Sequence, residues 1–410
     1  MKAESGWQPV TSTERYRSID IIRGLALFGV LVVNILTMFR IPLLEHILMP
    51  HNNSGQANQL VSLLVAGFLE FKALTIFSFL FGVGVAIQAE RATASNVSAR
   101  GFLGRRLAWL FILGAAHMFL IWNGDILALY AVCGLLLLPF LGLPWPVLLV
   151  IGAVVIAVPE VIPLGLPLPS GEQASAHIAQ ARQAYGSAEP ITILAFRWHE
   201  SWSLILPLLV GILPRTTGLM IWGVAAWRSG ILREPDRHRS HLTTAFAGAG
   251  VVGALATADA VWARSSGGAP WIPGSGLAAP ILLALAYVSG LLLWLTPRRA
   301  SALPGLTAAG RMALTNYLLQ SIALGFIFYG YGLGLFGRIG AAAAAGIGIV
   351  LYAAQLHLSL WWLRHFRFGP FEWLWRSLAY GRWQPLGHQP RGPRPQQSER
   401  VSPENSPGDS

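Results

Sequence analysis

The stretch GAAHMFLIWNGDILALYAVCG sets His117 eight residues before Asp125, in an apolar run broken only by the turn Asn123-Gly124-Asp125. An unperturbed imidazole titrates near pH ~6.5, so His117 suits a general base, with Asp125 as the group that orients it. The same residues also suit a structural, hydrogen-bonded histidine and a carboxylate at a helix start. In FLEFKALTIFSFLFGVGVA, Glu70 and Lys72 stand two apart. They point to different helix faces, so each needs a partner from elsewhere, or water, or a route for Lys72 to snorkel. Gly82 and Gly84 follow at a spacing suited to close helix packing or a kink.

In RSIDIIRGLALFGVLVVNI, Asp20 and Arg23 are three apart and meet across one helical turn. Asn34 lies eleven residues further on, about three turns or ~16 Å, on nearly the same face. Asp20, Gly24, Leu27, Leu31 and Asn34 therefore form one stripe, read either as an interface anchor with a glue residue or as the lining of a polar cleft. Arg215 follows Pro214 within an apolar run, and Asp259 closes another. FRWHESW offers Arg197, His199 and Glu200. GRMALTNYLLQS puts Asn316 and Gln320 four apart on one face, where interhelical hydrogen bonding is the default. His46 and His51 are five apart in a loop, a weak metal signal. No phosphate-binding loop, dinucleotide fingerprint, HExxH or paired-cysteine motif occurs.

The elements that must carry these groups are membrane helices. The chain is 54% hydrophobic and 11% charged, with mean hydropathy +0.54; soluble domains carry about 25% charged residues. Many runs reach the roughly 20 residues a helix needs to cross a bilayer core. They lack the period-two alternation of barrels. The expected spans are 19–39, 60–88, 107–123, 126–142, 147–163, 202–227, 242–263, 277–296, 312–333 and 341–363. If they alternate, twenty-one Lys and Arg residues fall on one side and five on the other. That is the positive-inside pattern, and it places both termini in the cytoplasm. It also accounts for the net charge of +11 without nucleic acid. A single cysteine, Cys133, rules out an intrachain disulfide. No cleavable signal peptide is evident, so the first span is expected to remain as an anchor.

The expected organisation is a cytoplasmic lead over 1–18, a transmembrane domain over 19–386, and a disordered basic, proline-rich tail over 387–410. Residues 164–200 form the longest loop, with a short exposed helix at EQASAHIAQARQAYG. GPFEWLWRSLAYGRW, with Trp373, Trp375 and Trp383 beside Arg376 and Arg382, suits a helix in the headgroup zone.

Taken in order, SIDIIRGLALFGVLVVNI, FKALTIFSFLFGVG, GAAHMFLIWNGDILALYA, GLMIWGVAAWRSGIL, GRMALTNYLLQS and GPFEWLWRSLAYGRWQPL resemble the YeiB-like family of bacterial inner-membrane proteins (domain of unknown function 418). That family is in turn similar to transmembrane acyltransferases, namely the acyltransferase-3 group acting on surface glycans and the heparan-alpha-glucosaminide N-acetyltransferase group. The resemblance implies a helical bundle that moves an acyl group from a cytoplasmic donor such as acyl-CoA to an extracytoplasmic glycan or small-molecule acceptor. In the acyltransferase-3 group an arginine precedes a functional histidine by eleven residues; here Arg23 precedes Asn34.

Read as such an enzyme, the polar stripe from Arg23 to Asn34 together with Glu70, Lys72, His117 and Asp125 gives Arg23, with Asp20, to donor phosphate or carbonyl groups and His117 to general base, oriented by Asp125 or Glu70. Asn34 or Lys72 would stabilise the oxyanion, and Arg215 and Asn316 would bind substrate. A transporter using the same charges is the alternative. A scaffold acting through its tail is a third reading.

Overall fold

Apolar runs in a bilayer must satisfy their own backbone groups, which leaves helix as the outcome for segments of this composition. The computed structural model describes residues 16–49, 54–162, 164 and 169–387. His51, most of the N-terminal lead and the tail beyond Gly387 lie outside these residues. In chain order the helices are α1 (Arg17–Asn34), α2 (Leu43–Leu48), α3 (Gln56–Phe68), α4 (Lys72–Ala94), α5 (Ala99–Ala116) and α6 (Leu127–Leu137). Next come α7 (Trp145–Val161), α8 (Gly171–Tyr185), α9 (Pro190–Glu200), α10 (Leu206–Arg228), α11 (Arg239–Ser266) and α12 (Ser275–Trp294). The last are α13 (Pro297–Ser301), α14 (Pro304–Arg311), α15 (Ala313–Phe328), α16 (Ala341–His365) and α17 (Pro370–Tyr380). Among the described residues the sole β pairing is an isolated bridge between Phe366 and Gly387.

This is an all-α polytopic membrane protein. Seven helical stretches are long and apolar enough to cross a bilayer: Arg17–Phe39, Gln56–Ala94, Ala99–Ile121, Pro190–Arg228, Arg239–Arg264, Ser275–Trp294 and Ala341–His365. Three shorter apolar stretches, Leu127–Gly142, Trp145–Val161 and Ala313–Phe328, lie where the sequence placed further spans.

Three helices end in a π-helical turn, at Ile35–Phe39, His117–Ile121 and Ser201–Ile205. Each turn starts at or directly after a polar residue singled out above: Asn34, His117 or Glu200. Such wide turns re-aim side chains and recur at functional sites.

Glycines set the closest crossings. A Cβ on Gly82 would strike the Met220 carbonyl, and one on Gly223 the Phe79 carbonyl, so α4 and α10 touch backbone to backbone. Gly310 likewise abuts the Asp20 carbonyl, fixing α14 against α1. The small-residue contact expected of Gly82 is present. Gly84 makes none: a Cβ there would meet nothing within 4 Å. α1 threads both large apolar cores, with Ile19 and Ile22 in one and Leu27, Leu31 and Ile35 in the other.

Two expectations are corrected. The single span 60–88 is two helices, broken at Phe71, which adopts a left-handed φ of +61°. The loop 164–200 holds α8 and α9, and α8 is not simply exposed: Ala174, Ile178, Ala181 and Tyr185 recur at helical spacing and are buried.

Candidate functional site

The structure gathers many of its polar groups around two adjoining cavities of about 300 Å³ and 150 Å³. α1, α4, α14 and α17 bound both: Arg23, Ile87, Arg91, Arg311, Glu372 and Arg376 line the two spaces. Asp20 and Arg367 border only the smaller one, and Arg106 only the larger. Six arginines therefore face two carboxylates. Arg23 donates to Asp20 Oδ1 at 2.9 Å, as the three-residue spacing predicts. It also reaches toward the Gly310 carbonyl at 3.5 Å. Beyond this mouth the larger cavity is apolar, walled by Leu27, Phe77, Phe81, Leu107, Leu110 and Leu127.

α17 closes one side, and here the headgroup-zone expectation is only part of the picture. Trp383 is exposed, but Trp375 turns inward. The Arg106 guanidinium lies 3.5 Å over its ring, and the indole N–H donates to the Arg106 carbonyl at 2.8 Å. Glu372 accepts from the backbone N–H groups of Leu314 (2.8 Å) and Thr315 (3.1 Å) and from the Thr315 hydroxyl. It thereby satisfies the open start of α15. Burial nonetheless pushes its carboxyl above the usual range.

The inner end of the larger cavity is formed by Ile126, Leu127 and Tyr317. The Tyr317 hydroxyl accepts from the Ile126 N–H and donates to the Gly124 carbonyl, both at 3.2 Å. Against its ring lies His117, with centroids 5.3 Å apart. His117 Nδ1 meets Asp125 Oδ1 at 2.8 Å, and the second Asp125 oxygen accepts from the Ala128 N–H at 2.7 Å. Both side chains are buried, yet His117 Nε2 has no hydrogen-bond partner among the described residues. A carboxylate only accepts, so the bond to Asp125 makes Nδ1 the donor. His117 does not itself line the cavity; Tyr317 stands between.

The other predicted residues separate into clusters. Glu70 pairs with His46 at 3.3 Å and with Arg264 at 3.4 Å, so Asp125, not Glu70, orients His117. Lys72 donates to the Ala66 carbonyl at 2.9 Å. Arg215 donates to the Thr75 hydroxyl at 3.2 Å. Glu70 and Lys72 do not share a helix, because Glu70 lies in the break between α3 and α4. Asn316 bonds Ser359 at 2.9 Å, and Gln320 bonds Gln355 at 2.8 Å, which joins α15 to α16. Asn34 is half-buried, makes no side-chain hydrogen bond among the described residues, and is absent from the cavity wall. The cavity-facing stripe of α1 is Arg23, Leu27 and Val30.

Of FRWHESW, His199 is exposed whereas Glu200 is buried and accepts from Tyr185 (2.6 Å), Asn123 (2.8 Å) and His177 (3.0 Å). No group of three or more metal-ligating side chains occurs among the described residues. Sequence reading did not single out Arg91, Arg106, Arg311 or Glu372 as site residues. For the three arginines the signal is the uneven arginine count, which speaks of orientation alone.

A family model described as a protein of unknown function (DUF418) matches residues 226–382. Uncharacterized protein YxaH of Bacillus subtilis is 35% identical over 405 residues, covering 93% of this chain and 98% of its own. The chain belongs to the DUF418 family. YeiB of Escherichia coli is 29% identical over 396 residues, covering 89% of this chain and 96% of its own. An uncharacterised 39.9 kDa protein of Bacillus acidopullulyticus is 28% identical over 387 residues. The stretch matched by the DUF418 model includes Arg311, Asn316, Glu372 and Arg376; Arg23, His117 and Asp125 precede it.

Proposed function

We propose that this DUF418 protein is a membrane acyltransferase, taking an acyl group from a phosphate-bearing thioester of the acyl-CoA type and delivering it to a hydroxyl or amine acceptor on the opposite side. One observation carries the reading: an arginine-ringed cavity ends at Tyr317, and against Tyr317 rests a buried histidine with a free Nε2. The positive-inside asymmetry supports a cytoplasmic arginine end, in a bacterial inner membrane with both termini inside. Arg23, Arg311 and Arg376 then receive donor phosphates.

In the transfer step His117 Nε2 takes the acceptor O–H proton as that oxygen attacks the thioester carbonyl carbon. The C–S bond breaks, and the departing thiolate receives the proton from His117. Asp125 holds the imidazole in the required tautomer and stabilises its protonated form. Neither candidate oxyanion donor lines the cavity: Asn34 lies off its wall, and Lys72 donates to the Ala66 carbonyl. Movement of Tyr317 away from Gly124 and Ile126 would open His117 to the cavity.

The test is protein reconstituted in liposomes with acyl-CoA supplied at the arginine face. Acceptor-dependent release of free thiol supports acyl transfer. Uptake of a solute with no donor present, and no thiol release, would favour transport instead.

A further inference from the structure

The larger cavity has more apolar wall than an acetyl group needs, and it has room at one defined point. Gly84 lies on α4 among the cavity-lining residues, and a Cβ added there would meet no atom within 4 Å. Its neighbour Gly82, two residues earlier, is pressed against the Met220 carbonyl. The two glycines therefore do different work: one lets helices touch, the other leaves space.

Around that space stand Leu27, Phe77, Phe81, Leu107 and Leu110, which offer a hydrocarbon no hydrogen bond and no charge. At the mouth the arrangement reverses. Arg23, Arg91, Arg311 and Arg376 line both cavities, and only Asp20 and Glu372 oppose them. Glu372 is already engaged by the start of α15. Arg311 Nε and Gln88 Oε1 are buried there without a hydrogen-bond partner among the described residues.

We infer that the cavity holds a phosphate-headed donor with a long acyl chain, the head among Arg23, Arg311 and Arg376, the carbonyl reaching Tyr317, and the chain lying back along Phe77, Phe81 and the space beside Gly84. Charge complementarity selects the anionic head, and the dry wall selects the chain. Gly84 acts as the gauge of chain length. This inference rests on the acyl-transfer reading for the identity of the donor, which becomes a long-chain rather than an acetyl thioester.

The experiment uses the full chain in detergent and a graded series, Gly84→Ala, Gly84→Leu and Gly84→Trp, with thermal melts to verify folding. Binding is measured for palmitoyl-CoA, hexanoyl-CoA and CoA, and for phosphatidylglycerol as competitor. The wild type is expected to prefer palmitoyl-CoA over CoA by about tenfold or more. The preference should fall stepwise through the series, with Ala least and Trp most affected. Effective competition by phosphatidylglycerol supports the same chain site with a lipid headgroup at the mouth.

Equal binding of palmitoyl-CoA, hexanoyl-CoA and CoA, or a chain preference indifferent to the Gly84 series, would overturn the inference. The two readings fail separately. Gly84-dependent palmitoyl-CoA binding without thiol release to any acceptor retains the chain site and removes acyl transfer. Turnover of a short thioester with no palmitoyl-CoA binding does the reverse.

Discussion

The two ends of this molecule treat charge in opposite ways. At the arginine-rich end, six guanidinium groups share a space with two carboxylates, and the space is open. At the other end, carboxylates are paired off: Glu45 with Arg182, Glu70 with His46 and Arg264, and Glu200 with three donors at once. An intramembrane charge is costly, so each must be compensated by protein or by ligand. Under the proposed function the compensated end is structural, and the arginine-rich end is where an anionic ligand would be received.

The comparison can be broken by variants at either end. Glu200→Ala leaves Tyr185, Asn123 and His177 without their shared acceptor. It should destabilise the protein by about 3–5 kcal/mol, read as a lower melting temperature in detergent. A smaller loss would mean that the far end is not held by this carboxylate. At the near end, Arg311→Gln should weaken anionic donor binding by about tenfold with little change in melting temperature. A large stability loss with unchanged binding would show that the arginine ring is structural too. Asn316→Ala severs the α15–α16 link to Ser359 and should cost about 1 kcal/mol without affecting donor binding.

The smallest effect concerns Glu372, whose carboxyl is raised by burial. Between the unfolded and the folded value the folded form keeps a proton that the unfolded chain has lost. This contribution to stability is present in full below the unfolded value and is lost as pH rises through the folded value. Glu372→Gln should flatten that part of the pH–stability curve, and an unchanged curve would contradict the assignment.

Local spacing made part of this legible. Asp20 and Arg23 pair at three residues, and Asn316 and Gln320 bond one neighbouring helix from one face. His117 and Asp125 were visible as residues, although their bond depends on a π turn and a tight NGD corner. Propensity does not announce a π turn, because its cause is tertiary. The break at Phe71 was hidden although Glu70 and Lys72 flank it, because the apolar runs on either side join into what reads as one span. Of the two readings of the Asp20–Asn34 stripe, cleft lining does not extend to Asn34: an ideal helix keeps it on the stripe of Arg23, but the cavity follows Leu27 and Val30 and turns away to α4 and α5. The role of α17 was hidden for another reason. Tryptophan and arginine at a bundle's edge read the same whether they face headgroups or, as Trp375 and Arg376 do, a cavity.

The central claim is that His117, poised by Asp125, is the base served by the arginine-ringed cavity. Its most direct measurement is acceptor-dependent thiol release from acyl-CoA by wild type and His117→Ala in the same liposomes, with donor affinity measured on both. The account predicts that the rate falls by about 10²–10⁴-fold while donor affinity stays within about twofold, because His117 acts beyond Tyr317 and not at the mouth. Thiol release at the wild-type rate from His117→Ala would contradict it.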